Sequence, residues 1–273
     1  MTKSADKAQE LHDQLTESIE ALVSSDDWVR TLETASKFHN YSFGNVMLIT
    51  LQRPDASRVA GFKTWQSLGR QVRKGEKGIG ILAPMVYKRE VQTDSGETEE
   101  VRGVRGFRSV YVFDIAQTEG DDLDEIRPEI VQGESPESLW DSLAAMIEAE
   151  GFSVELADPD TPGANGTTNY TDHTVKVRPD LPAAQRTKTL AHELGHVLLH
   201  DPSGIAASGM ERSRKEVEAE SVAYIVCQAS GMVTDDYSFP YVAIWAQGNP
   251  EAVANTGTRV VTAAKRILEG LGA

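Results

Sequence analysis

Cysteine is almost absent: Cys227 alone in 273 residues excludes an internal disulfide and fits a reducing compartment. No uninterrupted apolar run approaches the roughly 20 residues that a membrane-spanning helix requires. The opening MTKSADKAQELHDQ is polar and charged and lacks the apolar stretch of a secretory signal, so a cytoplasmic protein is expected. Internal repeats, heptad runs and low-complexity tracts are missing too, which leaves ordinary domains as the expected organisation. Positive charge is scarce: 27 Lys and Arg stand against 42 Asp and Glu, a net charge of −15. Taken over the whole chain, that charge repels phosphate at long range.

The distribution of charge is uneven. From Leu51 to Phe113 there are twelve Lys or Arg against seven Asp or Glu, a basic block inside an acidic chain and a candidate anion-binding surface. At this length the chain can bury a substantial core, and two domains are favoured over one.

The stretch with the most chemistry is Thr189 to Asp201, TLAHELGHVLLHD. Leu190, Leu194, Val197 and Leu198 recur at helical intervals, and Asp201 with Pro202 ends the run. On such a helix His192 and His196 stand one turn apart on one face, so both rings can reach a single ion at about 2.0 to 2.1 Å. Glu193, beside the first of them, points slightly aside, where it can take a proton from water rather than bind the ion. A catalytic zinc needs a third protein ligand. Glu216, in KEVEAESVAYIVC, lies on a second helical pattern whose Val217, Val222, Ile225 and Val226 supply an apolar face. Glu220 shares the face of Glu216 and can reach the other nitrogen of a ligand histidine, fixing its tautomer. Glu218 falls on the opposite side and is the poorer ligand. His200 continues the four-residue spacing near the helix end, where a capping and packing role is expected. Cys227 is expected in the core, and Tyr170 and His173 are expected to pack, although either is a candidate to stabilise an oxyanion.

TLAHELGHVLLH followed by E-x-E-A-x-x-x-A resembles the gluzincin metallopeptidases, and most closely their ImmA/IrrE branch, over roughly Leu181 to Met232. The resemblance implies Zn2+ held by His192, His196 and Glu216, Glu193 as the base, and Glu220 as the partner of a ligand histidine. Relatives more often carry Asp or Asn at the position of Glu220.

Ahead of this region, Ala5 to Val23 reads as an amphipathic helix, Asp26 or Asp27 begins a second that runs through Phe38, and Phe43 to Leu51 reads as a buried third. GFKTWQSLGRQVRKGEKGIGIL follows as a short helix about Trp65 and a basic glycine turn. Gly78 to Val91 and Val101 to Ile115 then form a hairpin about the turn TDSGETEE. In this block Arg70, Arg73, Lys74 and Lys77, with Lys63 nearby, can follow a phosphate backbone, and Phe62 or Trp65 can offer a ring for a base to stack on. The opposing reading puts both rings in a core. From about Asp27 to Ile115 the sequence resembles the N-terminal domain of ArdC antirestriction proteins, which implies binding of single-stranded DNA.

Ala116 to Ser135 is acidic and poor in large apolar residues, as a linker would be. Pro136 to Glu150 resumes a helix, Phe152 to Leu156 and Thr168 to Val177 are read as strands about the loop DPDTPGANGT, and the tail from Pro240 carries two helical patterns, YVAIWAQ and EAVANTGTRVVTAAKRILEG. The expectation is an α+β protein: an ArdC-like DNA-binding module over 1–115, an acidic linker over 116–135, and a minimal zincin-like metallopeptidase domain over 136–273. Its function would be that of a zinc peptidase with attached DNA-binding domain, in an antirestriction or DNA-protecting role. Two alternatives stand beside it. One is a DNA-binding antirestriction protein whose zinc site is structural or vestigial, and the other an acidic DNA mimic that binds restriction enzymes.

Overall fold

A computed structural model describes residues 3–20, 22, 25–92, 98–121, 136–161, 163–200, 209–232 and 249–272. The tail pattern YVAIWAQ, most of the expected linker and the tip of the hairpin turn lie outside them. The fold is α+β, in two compact units: Met1–Ser18 with Met47–Asp122, and Ile19–Val46 with Leu123–Ala273. These units cut across the domain limits expected from sequence. The reason lies in the second of three N-terminal helices, α1 (Lys3–Glu20), α2 (Ser25–Lys37) and α3 (Phe43–Gln52): α2, with Trp28 and Leu32 buried, packs against the helix Gly209–Ala229. The Trp28 indole donates to Ser221 Oγ at 2.9 Å, 193 residues along the chain.

In the first unit a long antiparallel hairpin joins β3 (Ile79–Gln92) to β4 (Thr98–Asp114), with a register shift between Pro84 and Val86. A proline has no N–H for the ladder, so an irregularity there costs little pairing. β1 (Val59–Gly61) pairs with the other side of β4, and α4 (Phe62–Ser67) follows it directly. Ala116 to Gly120, expected to open a linker, belong to the fold. Asp114, almost wholly buried, accepts from the backbone N–H groups of Ser57, Arg58 and Ala116 and caps a 3-10 turn at Ile115–Gln117. β5 (Thr118–Gly120) then pairs with β2 (Arg70–Val72). A three-residue strand is too short to leave a periodic signal, and its acidic surroundings masked it.

In the second unit α5 (Pro136–Ala149) precedes β6 (Ser153–Leu156), β7 (Gly166–Asn169) and β8 (Thr174–Val177). Strand order is β6-β8-β7, with β6 parallel and β7 antiparallel to β8. The single strand expected over Thr168 to Val177 is therefore two. Asn169 Oδ1 accepts from the N–H groups of Thr171 and Asp172, and His173 takes a left-handed backbone (φ 51°), which reverses the chain. α6 (Ala183–Leu199) and α7 (Gly209–Ala229) follow, and then α8 (Pro250–Gly270), whose first turn is capped by Asn249 with Pro250 behind it. Leu190 and Leu194 of α6, Val222 and Ile225 of α7, Leu143 and Ile147 of α5, and Val260 and Ile267 of α8 fill the core. Each such side chain contributes about 1.5 to 3 kcal/mol by leaving water. This packing fixes α6 and α7 side by side. Among the described residues no helix is long and apolar enough to cross a membrane.

Candidate metal centre

α6 and α7 meet closely because residue 195 has no side chain: a Cβ there would stand 3.0 Å from Ala219 Cα. That approach brings Glu216 of α7 to the paired imidazoles of α6. His192 Nε2 and His196 Nε2 are 3.0 Å apart, and Glu216 reaches them at 3.4 and 3.7 Å. Ligands about 2.0 to 2.1 Å from a tetrahedral ion sit roughly 3.3 to 3.4 Å from one another, so these spacings bracket what a single ion requires. The donor atoms all lie within 4.8 Å of one another, and no other group of this kind occurs among the described residues. The side chains of His192 and His196 are 19% and 15% exposed and that of Glu216 is 57% exposed, so the cluster opens to solvent on the carboxylate side.

Burial pulls the His192 imidazole down, but hydrogen bonds to Glu216 and Glu220 outweigh it and push the group up to about 10. Burial pushes Glu216 up, and the two imidazoles pull it well below the ordinary carboxylate range. Both shifts mark a place where positive charge is stabilised. Two imidazoles and a carboxylate are a donor set that suits zinc.

Each histidine is held from behind. His192 Nδ1 lies 2.9 Å from Glu220 Oε2, and Lys188 Nζ pairs with the other oxygen of Glu220 at 3.1 Å. Against the upward push of burial, His192 and Lys188 hold Glu220 low. His196 Nδ1 lies 2.8 Å from His200 Nδ1, and His200 Nε2 lies 3.0 Å from Glu218 Oε2. Burial pulls the His200 imidazole below its ordinary value, with the Glu218 bond acting against it. His200 and Glu218 were missed as partners of the site. The four-residue spacing of His192, His196 and His200 was the available signal, and it was assigned to a helix end.

Glu193 is buried at the wall of a cleft of about 800 Å³ lined by α6 and β7. Thr168 Oγ1 donates to its Oε2 at 2.7 Å, and a Cβ on Gly166 would stand 2.8 Å from its Oε1. β7 therefore positions the carboxylate from one side. Tyr170 donates to the His196 carbonyl at 2.9 Å and His173 stacks on Phe152, so both have packing roles. Cys227 is buried, as expected.

The residues singled out in the basic block divide. Trp65 is fully buried and its indole donates to Phe113 O at 2.8 Å, which corrects its assignment as a stacking ring. Arg70 is drawn into the structure as well: its guanidinium donates to Thr118 Oγ1 at 2.8 Å and to the carbonyls of Gly120 and Asp121. Arg73 donates to Glu76 and to the Ala116 carbonyl. Lys63, Lys74 and Lys77 are exposed, and Phe62 shows a partly open ring edge-on to Phe113. Rings that the reading did not single out stand open on β3 and β4: Phe107 is 55% exposed, Tyr111 49% and Tyr87 40%. Exposed Arg105 and Arg108 flank Phe107 in the chain. Arginines at three-residue steps, 102, 105 and 108, were the sequence signal near them.

Comparison with known proteins places these two regions. The N-terminal domain of anti-restriction factor ArdC matches residues 5–113, and the IrrE N-terminal-like domain matches residues 148–229. An uncharacterised protein of Bacillus anthracis is 29% identical over 275 residues, an alignment covering 87% of this chain and 46% of that protein. The chain thus spans about half the length of that curated relative. Two crystal structures of the antirestriction ArdC protein from the R388 plasmid share the fold. The metal-free one has a TM-score of 0.56 at 22% identity, covering 98% of this chain and 97% of that one. The Mn(II)-bound one has a TM-score of 0.54 at 20% identity, covering 97% and 96%. The chain therefore matches the N-terminal domain model of anti-restriction factor ArdC over one region and the IrrE N-terminal-like model over another, and its fold is similar to that of the ArdC protein.

Proposed function

We propose that this protein is a zinc-dependent peptidase whose N-terminal domain binds DNA, single-stranded in preference to double-stranded, in an antirestriction role. The observation that carries the catalytic reading is the convergence of His192, His196 and Glu216 in a cleft that also holds Glu193. Those three side chains would hold zinc, which would supply Lewis-acid polarisation of a peptide carbonyl and of the attacking water. The rest is done by the chain. Among the described residues β7 is an edge of its sheet along the cleft, where its backbone can align an extended peptide. Glu193 accepts the proton of the attacking water and passes it to the leaving amine. The Thr168 bond occupies one carboxylate oxygen and steadies the other for that transfer.

Support for DNA as partner comes from the match to the ArdC N-terminal domain and from the open rings of Phe107 and Tyr111 on a strand that also carries exposed Arg105 and Arg108. A stacked base is typically worth about 1 to 3 kcal/mol, and arginines that track phosphates make binding fall with salt. Glu193→Gln separates chemistry from metal binding: it is expected to retain zinc and to lose hydrolysis of a peptide library. A variant that cleaves as fast as wild type removes Glu193 as the base. For DNA, gel shifts with single- and double-stranded oligonucleotides at rising salt are expected to favour the single strand. No shift with either would overturn the partner.

A further inference from the structure

We infer that His200 and Glu218 are positioning residues of the metal centre, holding His196 in the tautomer whose Nε2 lone pair faces the ion. The inference rests on the metal reading of His192, His196 and Glu216. A carboxylate only accepts hydrogen bonds, so at 3.0 Å from Glu218 Oε2 the His200 Nε2 carries the proton. A neutral imidazole has one proton. His200 Nδ1 is then an acceptor, and the bond at 2.8 Å comes from the N–H of His196 Nδ1. That leaves His196 Nε2 bare, on the side where Glu216 and His192 Nε2 lie. His192 is held at its own Nδ1 by a direct bond to Glu220. Thus one ligand is oriented by a carboxylate, and the other by a carboxylate acting through a second imidazole.

The burial of Glu218 shows that the arrangement is built and not a surface contact. Its side chain is fully buried, and a buried carboxylate is costly unless its oxygens are satisfied. Oε1 accepts from Thr256 Oγ1 at 3.2 Å and faces Arg259 Nε at 3.3 Å, which leaves Oε2 for His200. Arg259 also donates to the carbonyl of Leu199 at the end of α6. Glu218 therefore ties α6, α7 and α8 together behind the ligand. A helix-capping role needs only the backbone of His200, whose N–H bonds to His196 O. The ring does something else: it turns back to the one nitrogen of His196 that the ion does not use.

The test uses the full chain labelled with 15N-histidine. In metal-free wild type, ring correlation spectra are expected to show the His196 proton on Nδ1. A proton on Nε2 overturns the inference, and this arm needs no variant. His200→Phe keeps a ring but offers no acceptor, so His196 should become a mixture of tautomers and Mn(II) affinity should fall about 10- to 100-fold. His200→Gln, whose carbonyl can accept and whose amide can donate to Glu218, should restore both. If His200→Phe keeps the wild-type tautomer and the wild-type Mn(II) affinity, the inference is overturned. Should wild type take up neither Zn(II) nor Mn(II), the metal reading fails, while the tautomer of metal-free His196 still decides this one.

Discussion

Gly166→Ala tests whether the position of Glu193, and not only its presence, matters for chemistry. The new Cβ would stand 2.8 Å from Glu193 Oε1 and 2.7 Å from Thr189 Cγ2, where ordinary contact begins at 3.4 Å. The strand has little freedom to yield, because Gly166 pairs with Val177 of β8. The carboxylate must therefore withdraw by roughly 0.6 Å or more and strain its 2.7 Å bond to Thr168. Misplacement by about 1 Å can cost about 10²-fold in rate, equivalent to about 2.7 kcal/mol of barrier. Overpacking of this kind costs about 1 to 3 kcal/mol of stability, so the variant should fold. Neither contact involves a proposed ligand, and metal content should match wild type. The assay is appearance of new termini in a peptide library by mass spectrometry, with Glu193→Gln as the inactive reference. Cleavage at the wild-type rate would refute the reasoning, as would loss of activity accompanied by loss of metal.

Three other outcomes follow from the same coordinates. Trp65→Ala should cost about 3 to 5 kcal/mol in denaturant unfolding, because it empties a fully buried site. Phe107→Ala should leave stability within about 0.5 kcal/mol yet weaken single-stranded DNA binding by about 1 to 3 kcal/mol, as measured by fluorescence anisotropy. Burial, and then the Glu33 carboxylate, push the Tyr224 phenol up to about 12. A group raised in the folded state stabilises fully below its unfolded value near 10 and loses that contribution as pH rises towards 12. Ultraviolet titration should therefore show a late-ionising tyrosine that Tyr224→Phe removes.

The candidate metal centre was legible because its logic is local. Four-residue spacing on α6 pairs His192 with His196, and the same spacing on α7 pairs Glu216 with Glu220, so each helix shows its half without reference to the other. What joins the halves was not legible: the close approach at Gly195 and Ala219 depends on two backbones meeting. Glu218 illustrates the limit. Placed by periodicity on the far side of α7, it is there, but α8 and the end of α6 turn that side into the interior. The basic block failed in a different way. Arginines and a tryptophan in a charged stretch look available, yet Arg70 and Trp65 bond to carbonyls and a hydroxyl more than 40 residues distant. The interleaving of the units has the same origin, since the apolar face of α2 does not say which helix will cover it.

The central claim is that side chains from α6 and α7 hold a single divalent ion with one side open. Zinc stoichiometry by elemental analysis, paired with X-ray absorption of the zinc-loaded protein, tests it most directly. The account predicts one ion per chain bound by two imidazoles, one carboxylate and a further light oxygen, with uptake abolished in His192→Ala/His196→Ala. An ion retained by that double variant, or no stoichiometric uptake by wild type, would contradict it.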